Sequence, residues 1–329
     1  MRRVLVTGAT GGLGLSLVAA LQARGYFVRA TGRKASAGRR LAEAGAEFIA
    51  AELTDLDAAD HLCRGMDSVI HAAALSSPWG RDADFRKINV DATRALLDAA
   101  RREGCRRFVF VSSPSVYARP LDQFGLTESD PLPSHFLNAY AATKAEAERR
   151  VIAANDPEFA CVSLRPRAIV GPDDQVLLPR FLRLIEKGAF PLVRDGAAQI
   201  ELTDVRDAAR ALILAEEKAP ELGGKVFNIS GGQAVTIKAT VVALAEALGR
   251  PVRFVHLPFT PLRWTAATME AVARALPGRP EPPLTVYSLC TLAFSQTFDL
   301  TCARTQLGFA PSHDALANAA AIVRGLRHD

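Results

Sequence analysis

Val4-Leu5-Val6-Thr7-Gly8-Ala9-Thr10-Gly11-Gly12-Leu13-Gly14 stands at the head of the chain, and its reading decides the fold. Arg3–Thr7 reads as a strand and Leu13–Arg24 as an amphipathic helix. The glycines at 8, 11 and 14 punctuate the turn between them. Gly8 permits a tight exit from the strand. Gly11 lets backbone approach a pyrophosphate, and Gly14 lets helix and strand pack closely. The helix start offers unpaired N–H groups and a partial positive charge to phosphates, with Thr10, Gly12 and Leu13 completing the contact surface. A glycine motif alone is weak; a strand before it and a helix after it give it weight.

Outward from that loop, β-rich runs alternate with Ala/Leu/Arg-rich helical stretches. Tyr26–Thr31, Glu47–Ala50, Asp67–His71, Arg107–Ser112 and Ala160–Arg165 read as further strands, with Lys225–Ile229 as a later one. Helices are expected from about Asn89 to Arg102 and from about Asn138 to Ala154. Strands that are continuous runs of Val, Ile and Phe are buried on both faces, as in a helix-covered parallel sheet. The expected fold is therefore α/β, a doubly wound parallel-sheet Rossmann fold. After Arg165 the pattern turns irregular and proline-rich. Residues 1–170 and 204–230 are assigned to the nucleotide-binding domain, and 171–203 and 231–329 to a smaller mixed substrate lobe.

The end of the second strand bears on which nucleotide is held. It reads Ala30-Thr31-Gly32-Arg33-Lys34, with no carboxylate to hold ribose hydroxyls and two cations following. Arg33 can pair with a 2′-phosphate in bidentate geometry, with Lys34 beside it. NADP(H) is the expected cofactor, with NAD(H) left open. Glu52-Leu53 is placed to contact adenine. His71-Ala72-Ala73-Ala74 closes the fourth strand. The small Ala72, Ala73 and Ala74 leave room for cofactor, while His71 reads as a packed strand residue.

Tyr140-Ala141-Ala142-Thr143-Lys144 places a tyrosine and a lysine on one helical face. A tyrosine titrates near 10, so its use in proton transfer calls for a neighbour that favours the phenolate. Lys144 is expected to supply that charge and to hold the nicotinamide ribose. Tyr140 then passes a proton to or from a substrate oxygen. The fifth strand ends Val109-Phe110-Val111-Ser112-Ser113-Pro114-Ser115-Val116-Tyr117, and one of its serines is expected on the substrate oxygen. Val111 is counted among the cofactor contacts. So is Asn89, whose side chain is also a candidate to fix neighbouring strand backbone.

Bulk properties bound the alternatives. The net charge of +5 comes from 40 basic and 35 acidic residues spread along the chain, unlike the patch a nucleic-acid binder concentrates. Five scattered cysteines without a C-x-x-C pair suit reduced thiols in a cytoplasmic protein, and six histidines without ligand spacing suggest no metal. Leu284–Phe294 is apolar but too short to span a bilayer, and core packing is its expected role. Leu177–Leu182 and Phe259–Met269 offer apolar side chains to a substrate cleft, or else ordinary helix packing.

These motifs together resemble the extended short-chain dehydrogenase/reductase, or NAD-dependent epimerase/dehydratase, superfamily over nearly the whole chain. The resemblance rests on T-G-x-x-G-x-x-G at 7–14, H-A-A-A at 71–74, N-V at 89–90, S-S-P-S-V at 112–116, Y-x-x-x-K at 140–144 and L-R-P-R-A-I-V-G-P at 164–172. It implies catalysis by Ser113, Tyr140 and Lys144. It also implies nicotinamide contact along Arg165, Pro166, Ala168 and Ile169, and a homodimer through the helices after the fourth and fifth strands. Pro78-Trp79-Gly80, Thr127-Glu128-Ser129-Asp130 and Leu307-Gly308-Phe309-Ala310-Pro311 look most like the 3β-hydroxysteroid dehydrogenase-like and 2-alkyl-3-ketoalkanoate reductase branch. Gly32 departs from the acid that NAD-preferring members carry there. The expected reaction is NADP(H)-dependent interconversion of a ketone and a secondary alcohol on an apolar 3-oxo or 3-hydroxy small molecule. A nucleotide-sugar epimerase or dehydratase uses the same three residues, and a non-catalytic NADP-binding sensor shares the fold.

Overall fold

The computed structural model of the chain describes residues 1–33 and 35–326. Its first half alternates strictly. β1 (Arg3–Thr7) leads into α1 (Gly12–Gln22), β2 (Phe27–Gly32) into α2 (Ala35–Glu43), and β3 (Glu47–Ala50) into α3 (Leu56–Cys63). β4 (Ser68–His71) is followed by α4 (Asp82–Phe85), a π-helical turn at Arg86–Asp91 and α5 (Ala92–Arg102). Then come β5 (Arg107–Val111), β6 (Gln123–Leu126), α6 (Ala139–Ala153) and β7 (Ala160–Pro166). The second half runs β8 (Ile169–Val170), α7 (Leu178–Glu186), β9 (Ala189–Val193), β10 (Gln199–Glu201), β11 (Thr203–Asp204), α8 (Val205–Glu217), α9 (Ala219–Leu222) and β12 (Val226–Ile229). It ends with β13 (Ala234–Thr236), α10 (Ile237–Leu248), β14 (Arg253–Leu257), α11 (Phe259–Ala275), α12 (Val286–Ala293), β15 (Gln296–Phe298) and α13 (Ala315–Gly325).

Seven strands form one parallel sheet in the order β12-β7-β5-β4-β1-β2-β3. The chain winds one way from β1 to β3 and the other way from β4 onward. The crevice therefore opens at the carboxyl ends of β1 and β4, the switch point where such sheets take ligands. Phe108, Val109 and Phe110 of β5 are fully buried, as expected of a strand covered on both faces. Side-chain caps start the key helices: Asn138 accepts from the Ala141 amide at the head of α6, and Asp204 from the Arg206 amide at the head of α8.

The smaller lobe has a mixed sheet in the order β13-β10-β15-β6, with β13 antiparallel to β10 and the other pairs parallel. Phe181, Ile185, Phe190, Val241 and Leu244 pack its core. Two features cut across the division expected from the sequence. β6, from a stretch assigned to the nucleotide-binding domain, pairs with β15 of the lobe. Conversely Ala303, Leu307 and Phe309 return from the far end of the chain to the core under the parallel sheet. The helical stretch expected from Asn89 begins earlier, at Asp82, because α4 runs into the π-helical turn without a break.

Candidate active site

The glycine loop lies at the switch point. Gly8 has φ +66°, and a Cβ there would lie 2.7 Å from the Ala73 nitrogen and 2.9 Å from the Ala72 carbonyl carbon. The loop is thus seated on the backbone leaving β4. Gly14 is tighter still, since a Cβ would stand 2.3 Å from the Gly8 oxygen. Gly11 differs from both: a Cβ there would meet only the Gly8 oxygen, at 3.5 Å. Gly11 is also the N-cap of α1, and no side chain caps that helix. An uncapped helix start above an open glycine is the donor set a pyrophosphate requires, so these residues fit a dinucleotide. Gly12 lies against the loop after β8, where its Cβ would come 2.7 Å from the Asp173 oxygen.

At the end of β2 a Cβ on Gly32 would lie 2.7 Å from the Thr10 side chain. A carboxylate at that position would displace Thr10. Arg33 is exposed at the strand's end, and Lys34, expected beside it, lies outside the described residues. Beyond β3, Glu52 is exposed and Leu53 packs beneath the sheet.

A row of hydrogen bonds fixes the wall opposite the loop. The Ala73 amide donates to Thr7 Oγ1 at 3.2 Å, and Thr7 Oγ1 meets His71 Nδ1 at 2.7 Å. His71 Nε2 meets Thr93 Oγ1 at 2.9 Å, and that hydroxyl donates to the Asn89 carbonyl at 2.7 Å. One assignment satisfies every group: Thr7 donates to Nδ1, and Nε2–H donates to Thr93. Burial, with the charge of Lys144 nearby, lowers the His71 pKa to about 3, so the ring is neutral. His71 is a packed strand residue, as the sequence suggests.

The Asn89 side chain accepts from the Leu75 amide at 2.7 Å and donates to the Leu75 carbonyl at 3.2 Å and to Thr143 Oγ1 at 3.1 Å. Its polar atoms tie the exit of β4 to α6, the backbone-fixing role that the sequence also offers it. The π-helical turn that carries Asn89 aims it there.

Tyr140, Ser113 and Lys144 converge. Burial raises the Tyr140 pKa above 10, opposed by the hydroxyls of Ser113 and Ser76, which favour the ionised form. Ser113 Oγ accepts from the Ser115 amide at 3.2 Å, leaving its own proton to donate. Lys144 donates to the Val111 carbonyl and lies 4.0 Å from the centre of the Phe110 ring. Burial lowers its pKa to about 7, against the pull of Glu148 one turn on. Serine hydroxyls neighbour Tyr140, and the Lys144 ammonium rests on the Val111 carbonyl.

Arg165, expected along the nicotinamide, has its guanidinium buried in an ion pair with Glu148, with Nε at 2.9 Å, and donates to the Tyr117 hydroxyl. Two residues on, Arg167 has its amide on the Ile229 carbonyl at 2.8 Å and its carbonyl on the Thr203 hydroxyl. The next residue, Ala168, holds φ +41°, a conformation L-residues rarely adopt. Arg167 opens onto a pocket shared with Ser115, Tyr287, Cys290, Phe294 and Gln296.

Residues 4–230 match the model of the NAD dependent epimerase/dehydratase family. The chain belongs to that family. It is 36% identical over 94% of its length to a 2-alkyl-3-oxoalkanoate reductase from Stenotrophomonas maltophilia, covering 94% of that protein. It is equally 36% identical, over 94% of its length and 92% of the relative's, to a 4-hydroxy-2-methyl-3-oxo-4-farnesyl-3,4-dihydroquinoline-1-oxide ketoreductase from Stigmatella aurantiaca. Among solved structures, MoeE5 in complex with UDP-glucose and NAD superposes with a TM-score of 0.76 at 25% identity, covering 98% of this chain and 99% of that one. Family and relatives make the chain an NAD(P)-dependent oxidoreductase of the extended short-chain dehydrogenase/reductase type.

Within this epimerase/dehydratase chain, the apolar segments offered either to a cleft or to helix packing divide between packing and exposure. Leu178 and Phe181 belong to the lobe core, and Trp264 of α11 is exposed. The stretch Leu284–Phe294 instead forms α12, which brings Tyr287 beside Tyr140, Arg167 and Ser115. Burial raises the Tyr287 hydroxyl to about 12. Sequence reasoning missed Tyr287 and Ser76. The available signal for Tyr287 was a lone tyrosine in an otherwise apolar helix behind a Thr285 cap.

Proposed function

We propose that the chain interconverts a ketone and a secondary alcohol on a largely apolar 3-oxo or 3-hydroxy compound, with NADP(H) as its preferred nucleotide. One observation carries the reading: the half-buried Tyr140 side chain, its pKa raised above the ordinary tyrosine value, with Ser113 and Ser76 beside its hydroxyl. A neutral phenol beside a serine whose proton is free to donate is suited to protonating a carbonyl oxygen. The names of the two 36% relatives support the same chemistry.

In this reading Gly8, Thr10, Gly11, Gly12, Leu13 and Gly14 hold the pyrophosphate. Arg33 and Lys34 hold the 2′-phosphate, Glu52 and Leu53 border adenine, and Ala72, Ala73, Ala74 and Val111 line the floor. Lys144 holds the ribose, with Pro166, Ala168 and Ile169 against the nicotinamide. Bound nicotinamide supplies or accepts the hydride. Gly32 supplies no carboxylate for the ribose hydroxyls, which favours NADP(H) over NAD(H). The free cysteines suit a reducing, cytoplasmic setting, and a homodimer through α5 and α6 belongs to the same reading.

The epimerase reading needs cations for a sugar diphosphate. Arg194 is committed to Asp122 at 2.8 Å and stacks on Phe294, and Arg180 faces Glu281 at 3.6 Å, while Arg183 is exposed and makes no ion pair among the described residues. The names of the 36% relatives, rather than the cations, favour ketone reduction. The test is a panel of 3-oxo compounds with NADPH and NADH compared side by side. Stoichiometric NADPH oxidation is expected. Nucleotide returned unchanged while a nucleotide sugar epimerises would overturn the proposal.

A further inference from the structure

Arg167 is a cation without a counter-ion. Among the described residues its guanidinium makes no ion pair and no side-chain hydrogen bond, and its Nε is shut off from solvent with no partner. A buried donor of this kind costs free energy unless a ligand completes it. The nearby acid does not serve. Glu201 makes no hydrogen bond or ion pair to it, its oxygens accepting instead from the Ser230 hydroxyl and, at 3.1 Å, from the Phe298 amide. The backbone that carries it is held in place, since its residue is bonded at both amide and carbonyl and followed by the strained Ala168. Its own pKa is lowered by burial, the expected cost of an isolated charge.

Position supplies the second half of the argument. Ser115, Tyr287 and Arg167 line the same pocket. The Ser115 amide donates to Ser113 Oγ at 3.2 Å, so that pocket adjoins the serine of the proton-transfer site.

We infer that Arg167 reads a carboxylate on the substrate, so that the compound reduced is a 3-oxo acid and the alcohol formed its 3-hydroxy acid. The inference rests on the ketoreductase reading and names its substrate class. A planar guanidinium matches a carboxylate in bidentate geometry, and the pocket is lined by no acid, its other charged side chain being Arg119. It also chooses between the two relatives: the 2-alkyl-3-oxoalkanoate named for one carries a carboxylate, and the quinoline oxide named for the other does not.

The experiment uses the full chain with NADP+ and two stable substrates, 3-hydroxydecanoate and its methyl ester. Oxidation removes hydride from C3 to the nicotinamide and the hydroxyl proton to the protein. The wild type is expected to favour the acid in kcat/KM by at least ~10-fold. In Arg167→Met that acid-over-ester ratio falls by roughly 10-fold or more, through KM, while Arg167→Lys retains part of it. Taking a ratio within one protein cancels differences in folded fraction. An ester used as well as the acid by the wild type, or a ratio unchanged in Arg167→Met, overturns the inference. Should neither compound be oxidised, calorimetric binding of the same pair to the NADP+ complex decides. Tighter binding of the acid, lost in Arg167→Met, keeps the carboxylate site and removes only the ketoreductase reading. Equal binding of both removes the site.

Discussion

Lys144 holds a charge where burial resists one. Its pKa in the folded chain, about 7, lies well below that of an unfolded lysine, about 10.4. Below pH 7 both states are protonated and the folded state bears the full cost of an ammonium out of water. As pH rises from about 7 to about 10 the folded state releases its proton first, and the cost fades. Lys144→Met is therefore expected to raise the melting temperature by several degrees at about pH 6, an advantage that shrinks toward pH 10, while ketone reduction is lost. Thermal melts of both proteins across that range decide it, and a variant no more stable than wild type at low pH contradicts the argument. Tyr140→Phe separates chemistry from binding: kcat is expected to fall by roughly 100- to 10,000-fold with NADP+ affinity retained. Stopped reactions and nucleotide titration measure the two. At this scale the tyrosine–lysine pair was legible because its spacing is local. The direction of the Lys144 ammonium was not, since it depends on the Val111 carbonyl, 33 residues away in sequence. Nor was the solitude of Arg167, because a missing partner is invisible without three-dimensional neighbours.

Among elements, the β1–α1 junction shows how one residue type does two jobs. Gly14 is required by packing, for a Cβ would run into Gly8 and Ala9 backbone. Gly11 has room for a methyl group and lies where the phosphate would approach. Gly14→Ala is accordingly expected to lower stability by about 1–3 kcal/mol or more, through overpacking. Gly11→Ala is expected to melt within a degree or two of wild type yet bind NADP+ at least ~10-fold more weakly. Denaturant titration and nucleotide binding distinguish the pair, and equal losses of stability in both variants would refute the distinction. The glycine spacing and the strand before it were readable in sequence because strand, turn and helix are contiguous. The π-helical turn at Arg86–Asp91 was not readable. Its signal is an extra residue per turn that aligns Asn89 with Leu75 and Thr143, and no local periodicity announces it.

The molecule as a whole is interleaved rather than divided. The family match ends at residue 230, which invites the idea that the nucleotide-binding part folds alone. The packing argues otherwise. Ala303, Leu307 and Phe309 are fully buried in the core shared with Val6, Leu212 and Phe227. β6 finds its strand partner in β15, and Asn228 at the sheet's outer strand is bonded back to Glu128 and Leu126 beside β6. Removing a buried leucine or phenylalanine costs about 2–5 kcal/mol each, against a typical total stability of about 5–15 kcal/mol. A chain of residues 1–230 would lose both, together with the lobe sheet that pairs β6. It is expected to be unfolded or aggregated at room temperature by circular dichroism, while the full chain unfolds in one calorimetric transition. A Leu307→Ala, Phe309→Ala double variant of the full chain supplies the graded version, with a large fall in melting temperature and no second transition. Two separated transitions in the full chain, or a soluble, cooperatively melting 1–230 fragment, would instead make the lobe an attachment to a self-sufficient Rossmann domain.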